Sequence, residues 1–197
     1  MSEAHTRRKQ PDVVRRALLQ EAARIAANEG LAAVTIDSVA KAAGVTKGGL
    51  FHHFQSKQAL IDGVMAEAIA LLEEDVERRM EGDPEPYGRF TRAYVDCMFA
   101  DLEREDARLW AAICASLMAD ASLRKTWSDW FTARLARHAE TDGALEHAIA
   151  RLAADGVWHA SLYGMEAECG PDRNALRGRL IEMTRRPAMS ENTSEDR

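Results

Sequence analysis

The stretch at residues 35–57, TIDSVAKAAGVTKGGLFHHFQSK, decides how the chain is read. Two short helical segments flank Gly44, Val45 and Thr46. Thr35 is placed to cap the first, with Asp37 in its favourable first turn. Ala40 and Ala43 are small enough for a close helix crossing, Gly44 supplies a C-terminal stop, and Val45 can turn inward. Thr46 offers a second cap, and Leu50 and Phe54, four apart, share one face of the segment that follows. That segment opens with two adjacent glycines, Gly48 and Gly49. Each costs roughly 1 kcal/mol relative to Ala in a helix interior, and a helix of one or two turns has little to spare. The arrangement reads as a helix-turn-helix, whose second helix enters the DNA major groove. Glycines there let the helix backbone come close to the DNA, while Leu50 and Phe54 hold it by packing. The plainer alternative, a tight turn ahead of the next helix, needs one glycine rather than two.

Lys57 adds a second oddity. It opens the following helix, where the helix dipole disfavours a cation. A phosphate there would be held by the lysine and by free backbone N–H groups together. His52 and His53 stand at the end of the glycine-bearing helix, within reach of the same backbone.

Outward from this stretch, residues 12–29 form a predicted helix with Val14, Leu18, Ala22 and Ile25 at helical spacing, stopped by Gly30. Ser56 caps a helix to about Met80, with Leu60, Val64, Ala68, Leu71 or Leu72, and Val76 as its apolar stripe. Further helices are expected near 87–104, 106–119, 121–139, 143–168 and 172–186, with a polar, disordered tail at 188–197. Apolar residues make up 46% and charged residues 29% of the 197, and Pro is scarce at 5, a balance that favours a soluble helical fold. The net charge of −6 hides an asymmetry: residues 1–58 hold nine Lys/Arg against five Asp/Glu, and the remainder 17 against 27. A basic front on an acidic body fits a DNA-reading head on a body that phosphates repel. The three cysteines, Cys97, Cys114 and Cys169, suggest no disulfide framework. No secretory signal or membrane span is legible, so the expected location is cytoplasmic.

With these residues in view, TIDSVAKAAGVTKGGLFHHFQSKQAL resembles the DNA-binding domain of the TetR/AcrR family of transcriptional regulators, over residues 12–72 and most strongly at 35–57. The resemblance implies an all-α fold. A three-helix DNA-binding domain at 12–72, with its helix-turn-helix at 35–54, precedes a ligand-binding and dimerisation domain at 73–187. It implies a homodimer on a palindromic operator, released by a small molecule, with no catalysis and no cofactor. Carried across residue by residue, Thr35 and Ile36 would meet a phosphate, Thr46 and Lys47 a phosphate or base, and Gly48 and Gly49 the bases. His53 and Lys57 would clamp the backbone. Phe51 departs from the family, which usually has a Tyr there whose hydroxyl bonds a phosphate; packing of Phe51 under the helix, with His52 replacing part of the contact, is expected instead. Arg7, Arg8 and Lys9 are either a minor-groove arm or a disordered basic tail.

In the body, residues 144–166 form the expected penultimate helix, its apolar face carrying Leu145, Ile149, Leu152, Val157, Leu162 and Met165. Paired with the last helix and their copies, it would build an isologous dimer. All four tryptophans lie beyond the head. Phe99, Trp110, Cys114, Met118, Trp127, Trp130, Phe131, Trp158 and Tyr163 are candidate liners of an apolar effector pocket, against the plainer reading of core. Glu166 and Glu168 could meet a cationic effector or stay solvated. Zinc, metalloprotease, hydrolase and phosphate-loop signatures are missing. Two other readings stay open: metal sensing by His138, His147, His159 and Cys169 or redox sensing by Cys114, and a helical enzyme or interaction module that never meets DNA.

Overall fold

The computed structural model describes residues 3–100, 107–117, 119–165 and 172–186, with side chains from residue 12 onward. Among the described residues there are ten α-helices and no strand. Helix α1 (Glu3–Glu29) begins before the expected Asp12, because the preceding Arg, Lys and Gln are good helix formers. Arg7, Arg8 and Lys9 therefore lie on helical backbone and not on an extended arm. A single 3-10 turn (Leu31–Ala33) leads to α2 (Ile36–Ala42), α3 (Lys47–His53) and α4 (Lys57–Glu81). Then come α5 (Arg89–Ala100), α6 (Ala107–Leu117), α7 (Ala121–Arg137), the short α8 (Ala139–Asp142), α9 (Leu145–Leu162) and α10 (Arg173–Met183). The one-turn α8 has no counterpart in the sequence expectation. Met118, Cys169, Glu166, Glu168 and the tail at 188–197 lie outside the described residues.

The chain divides into two compact units that are not consecutive in sequence. One comprises residues 1–75 and 100–136, the other residues 76–99 and 137–197. The expected division into 12–72 and 73–187 is linear. The packing instead sets α6 along α1 and the 3-10 turn, in the same unit as the helix-turn-helix. The apolar face of α6, with buried Trp110 and Ile113, can be covered only by another apolar face.

In that first unit Leu18, Ala22 and Ile25 of α1 are buried as the periodicity requires, and so are Val34, Val39, Leu50, Phe54, Leu60 and Val64. On α4 the ambiguity between Leu71 and Leu72 resolves: Leu72 is buried and Leu71 is 47% exposed. In the second unit α5 is buried along nearly its whole length, and α9 and α10 pack side by side. Among the described residues no helix is long and apolar enough to cross a membrane.

Candidate nucleic-acid interface

The helix-turn-helix is built by local chemistry. The Thr35 hydroxyl accepts from the Ser38 N–H at 3.0 Å, and Ser38 Oγ accepts from the Thr35 N–H at 2.9 Å, a reciprocal capping box. At the other end of α2, Gly44 adopts φ +67°, which a side chain would strain. The Val45 N–H then reaches the Ala40 carbonyl at 3.0 Å and the Gly44 N–H the Lys41 carbonyl at 3.3 Å, closing the helix. Thr46 caps α3 through the Gly49 N–H at 3.0 Å. Ser56 caps α4 through the Ala59 N–H at 3.0 Å.

Leu50 is fully buried and Phe54 is 2% exposed, so they fix which side of α3 faces the core. The opposite side presents Lys47, Gly48, Phe51 and His52 to solvent, while Gly49 and His53 are half-buried. The glycine pair is therefore not symmetric. Beyond the chain neighbours and the helix's own backbone, a Cβ at Gly49 would meet Thr46 Oγ1 at 3.4 Å and Val45 Cβ at 3.8 Å, whereas at Gly48 it would meet Thr46 Oγ1 alone, at 3.9 Å. Gly48 is the open one. Phe51 does not tuck under the helix as expected: it stands 47% exposed, because Leu50 and Phe54 already fill the inward face. The His52 and His53 rings lie edge to face, 5.7 Å apart, in the last turn of α3, where the helix dipole favours a positive charge.

Three ties around this face have no local sequence signal. Lys47 Nζ pairs with Asp37 Oδ1 of α2 at 2.6 Å, with both side chains well exposed. Lys57 Nζ donates to the Ala32 carbonyl at 3.1 Å, which fastens the start of α4 to the 3-10 turn. Arg15 Nη1 donates to the His53 carbonyl at 3.3 Å, and its guanidinium lies 4.4 Å from the Phe54 ring centroid. Arg15 thus holds the end of α3 by a hydrogen bond and a cation–π contact. Its sequence position, 38 residues away, gave no hint. Thr35 is exposed and engaged with Ser38, and Ile36 is half-buried at the first position of α2, where an N–H has no partner inside the helix.

The candidate effector residues are divided between the two units. Trp110, Trp127, Trp130 and Phe131 gather on α6 and α7 of the first unit, with ring centroids 5.1 to 6.2 Å apart along the chain of contacts. Glu73 of α4 takes a hydrogen bond from Trp130 Nε1 at 2.7 Å and an ion pair from Arg134 Nε at 3.0 Å. Cys114 is half-buried on α6. Phe99 and Trp158 are buried in the other unit, where Tyr163 is 73% exposed. The histidines have structural surroundings. His138 stacks on Phe90 at 5.0 Å, His147 Nε2 is 3.2 Å from the Thr184 carbonyl, and His159 Nδ1 is 2.8 Å from the Asp155 carbonyl. Among the described residues no three metal-ligating side chains come together.

Residues 18–64 match the profile of the bacterial regulatory proteins, tetR family, and residues 88–185 match that of the Tetracyclin repressor-like C-terminal domain. The HTH-type transcriptional regulator BetI of Serratia proteamaculans is 32% identical over 190 residues, which span 90% of this chain and 89% of that protein. The HTH-type transcriptional repressor KstR2 of Mycolicibacterium smegmatis is 30% identical over 100 residues, 51% of this chain. That match spans about half of the repressor's own length, 48%. The solved structure of a TetR-family transcriptional regulator from Streptomyces coelicolor has the same fold, with a TM-score of 0.65 at 22% identity and 93% of each chain covered.

Proposed function

The chain belongs to the TetR family of bacterial regulatory proteins, and from that premise we propose that it represses transcription by holding a palindromic operator as a homodimer and letting go when a small molecule binds. Residues 12–72 read the DNA; residues 73–187 carry dimerisation and effector response. The observation that carries the DNA reading is the exposed face of α3. Lys47, Gly48, Phe51 and His52 share it, backed by the buried Leu50 and Phe54. Lys47 reaches phosphate or base by exchanging Asp37 for the DNA, and Lys57 and Arg15 set the frame around it.

Dimerisation is supported by α9. Its inner face buries His147, Ala150, Arg151, Ala154 and Trp158. Its outer face leaves Leu145 71%, Ile149 43% and Leu152 70% exposed, at helical spacing, and a Cβ built on Gly156, one turn further on, would stand in open space. An apolar stripe of this length on a soluble protein marks a contact surface, and a two-fold axis lets the stripe cover its own copy.

Effector response is supported by the aromatic group on α6 and α7. Asp120, just before α7, and Ser122 in its first turn are tied to the first two turns of α4: Gln58 Nε2 donates to Asp120 Oδ2 at 3.2 Å, and Ser122 Oγ to Asp62 Oδ1 at 3.1 Å. Burial raises the Asp120 carboxyl, but hydrogen bonds from the Leu123 N–H, Gln58 and the Ser122 N–H together hold it below the ordinary carboxylate range. A small apolar molecule among Trp110, Trp127, Trp130 and Phe131 would shift α7 and, with it, the residue next to Lys57. Only a molecule that prefers the DNA-incompetent arrangement releases the operator. A coupling of roughly 1–3 kcal/mol changes operator affinity about 5- to 150-fold.

The test is selection of bound duplexes from a random-sequence pool, with sedimentation of the complex. The expected product is an inverted repeat bound by two chains, its half-sites about one helical turn or a multiple apart. Gly48→Leu should abolish binding to that duplex while the dimer stays folded, because the open side of α3 would be held off the bases. An asymmetric site bound by a single chain, or full affinity in the Gly48→Leu protein, would refute the proposal.

A further inference from the structure

Helix α3 has little of its own to hold it in place. It is seven residues long, a length at which an isolated helix is marginal in water, and two of the seven are glycine. Leu50 and Phe54 anchor its inward side, and the Thr46 hydroxyl ties its start. At its end the carbonyls of the last turn lack partners inside the helix. Arg15 of α1 meets that end at two points: Nη1 donates to the His53 carbonyl at 3.3 Å, and the guanidinium lies 4.4 Å from the Phe54 ring centroid. A cation there also complements the negative end of the helix dipole.

The Phe54 ring is itself fixed. On α4, a Cβ built on Gly63 would stand 3.0 Å from Phe54 Cε1 and 2.9 Å from Leu19 Cδ2 of α1. The bare backbone of Gly63 lets both side chains pack closer to α4 than any side chain there would allow. A ring seated in this way, 2% exposed, gives the guanidinium a firm surface to lie against. Arg15 therefore refers the end of α3 to the frame made by α1 and α4. An arginine near a reading helix is ordinarily a phosphate contact. The contacts of Arg15 run instead to a carbonyl and a ring of the protein.

We propose that Arg15 is a positioning residue for operator reading: it fixes the angle at which α3 meets the groove, and its loss costs discrimination between sequences, not attraction to phosphate. This rests on the DNA-reading function proposed above. A preferred duplex demands one angle of α3. A random duplex, held through its phosphates, does not.

The experiment compares full-length Arg15→Leu and Arg15→Lys proteins with the wild type in two measurements. The first is hydrogen exchange of the α3 amides without DNA. Arg15→Leu should speed exchange in the last turn of α3 about 5-fold and leave α4 unchanged. The second is binding, over a range of salt, to the tightest duplex recovered from the random pool and to a random duplex of the same length. Arg15→Leu should bind the preferred duplex about 5-fold more weakly and the random duplex as the wild type does, with the same salt slope. Arg15→Lys keeps the charge but lacks the planar fork that serves carbonyl and ring together, so it should fall between the two. Lost stability alone would weaken both duplexes alike, so the ratio of the two affinities reads positioning. The proposal is overturned if α3 exchange is unmoved in Arg15→Leu, or if Arg15→Lys restores full affinity for the preferred duplex. It is also overturned if both duplexes lose affinity equally and the salt slope drops by about one for each Arg removed, the mark of a phosphate contact. Should Arg15→Leu fail to fold, Arg15→Lys carries both measurements, with the same signs expected. Failure to recover any preferred duplex would overturn the DNA-reading function itself, while the exchange measurement would still test the hold of Arg15 on α3.

Discussion

Around α3 the fully buried side chains are apolar: Leu18, Val34, Val39, Leu50 and Leu60 each show no exposed surface, and the polar groups of the same segment lie at the surface as helix caps. In the unit formed by residues 76–99 and 137–197 the polar groups are themselves inside. Thr91, Arg92, Asp142, His147, Arg151 and Thr184 are all buried. Arg92 donates to the carbonyls of Glu85 at 2.7 Å and Tyr87 at 2.8 Å and pairs with Asp83 at 2.6 Å. Asp142 Oδ1 accepts from the Thr91 N–H at 2.7 Å, and Arg151 Nη1 donates to Thr91 Oγ1 at 2.6 Å. The difference teaches how each region is specified. Apolar packing holds the reading helices and leaves their polar groups at the surface, available to a charged partner. Buried hydrogen bonds tie the other unit to one arrangement, since breaking any of them strands a polar group away from water.

The sharpest way to break this comparison is at Gly88. It has φ +74°, and a Cβ built on it would stand 2.2 Å from the Thr184 carbonyl oxygen and 3.0 Å from both Arg92 Nη1 and His147 Nε2. Gly88→Ala should therefore cost about 4 kcal/mol or more in urea unfolding, or prevent folding of that unit, because strain and loss of a buried network act together. A loss under about 1 kcal/mol would show that the network yields easily and that the contrast is false.

Thr46→Ala tests the other side. The residue is exposed and its hydroxyl caps α3, so the change should cost about 1 kcal/mol, the usual worth of an N-cap, with the apolar core intact. A cost as large as that at Gly88 would mean that the reading helices also depend on a polar network.

The smallest effect is expected at Asp155. Burial pushes its carboxyl above the ordinary range, against the lowering influence of the Tyr94 hydroxyl, which donates at 2.6 Å, and of His159 and Arg151. The folded chain thus binds this proton more tightly than the unfolded chain does. The ionised group costs stability at neutral pH, and that cost is relieved as pH falls through the folded pKa. Asp155→Asn keeps an acceptor for Tyr94 and carries no charge. It should stabilise the protein slightly at pH 7, with the advantage shrinking as pH is lowered. Denaturant midpoints at several pH values measure this, and a destabilised Asn variant at pH 7 would show that the charge itself is part of the network.

The sequence by itself determined the local elements of the head. Thr35, Thr46 and Ser56 as caps, Gly44 as a stop, and Leu50 with Phe54 as the inward face are each set by groups within a few residues, so their chemistry is legible in order along the chain. The outer stripe of α9 was equally legible at Leu145, Ile149 and Leu152, because helical spacing alone places it. Only the tertiary structure decided what joins residues far apart. Lys57 meets Ala32, Arg15 meets His53, and α6 packs along α1. It assigned Trp158 and Phe99 to one unit and the tryptophans of α6 and α7 to the other, and it turned Phe51 outward. Periodicity says which residues share a face, but which face another helix covers depends on where the chain returns, and no run of neighbouring residues encodes that.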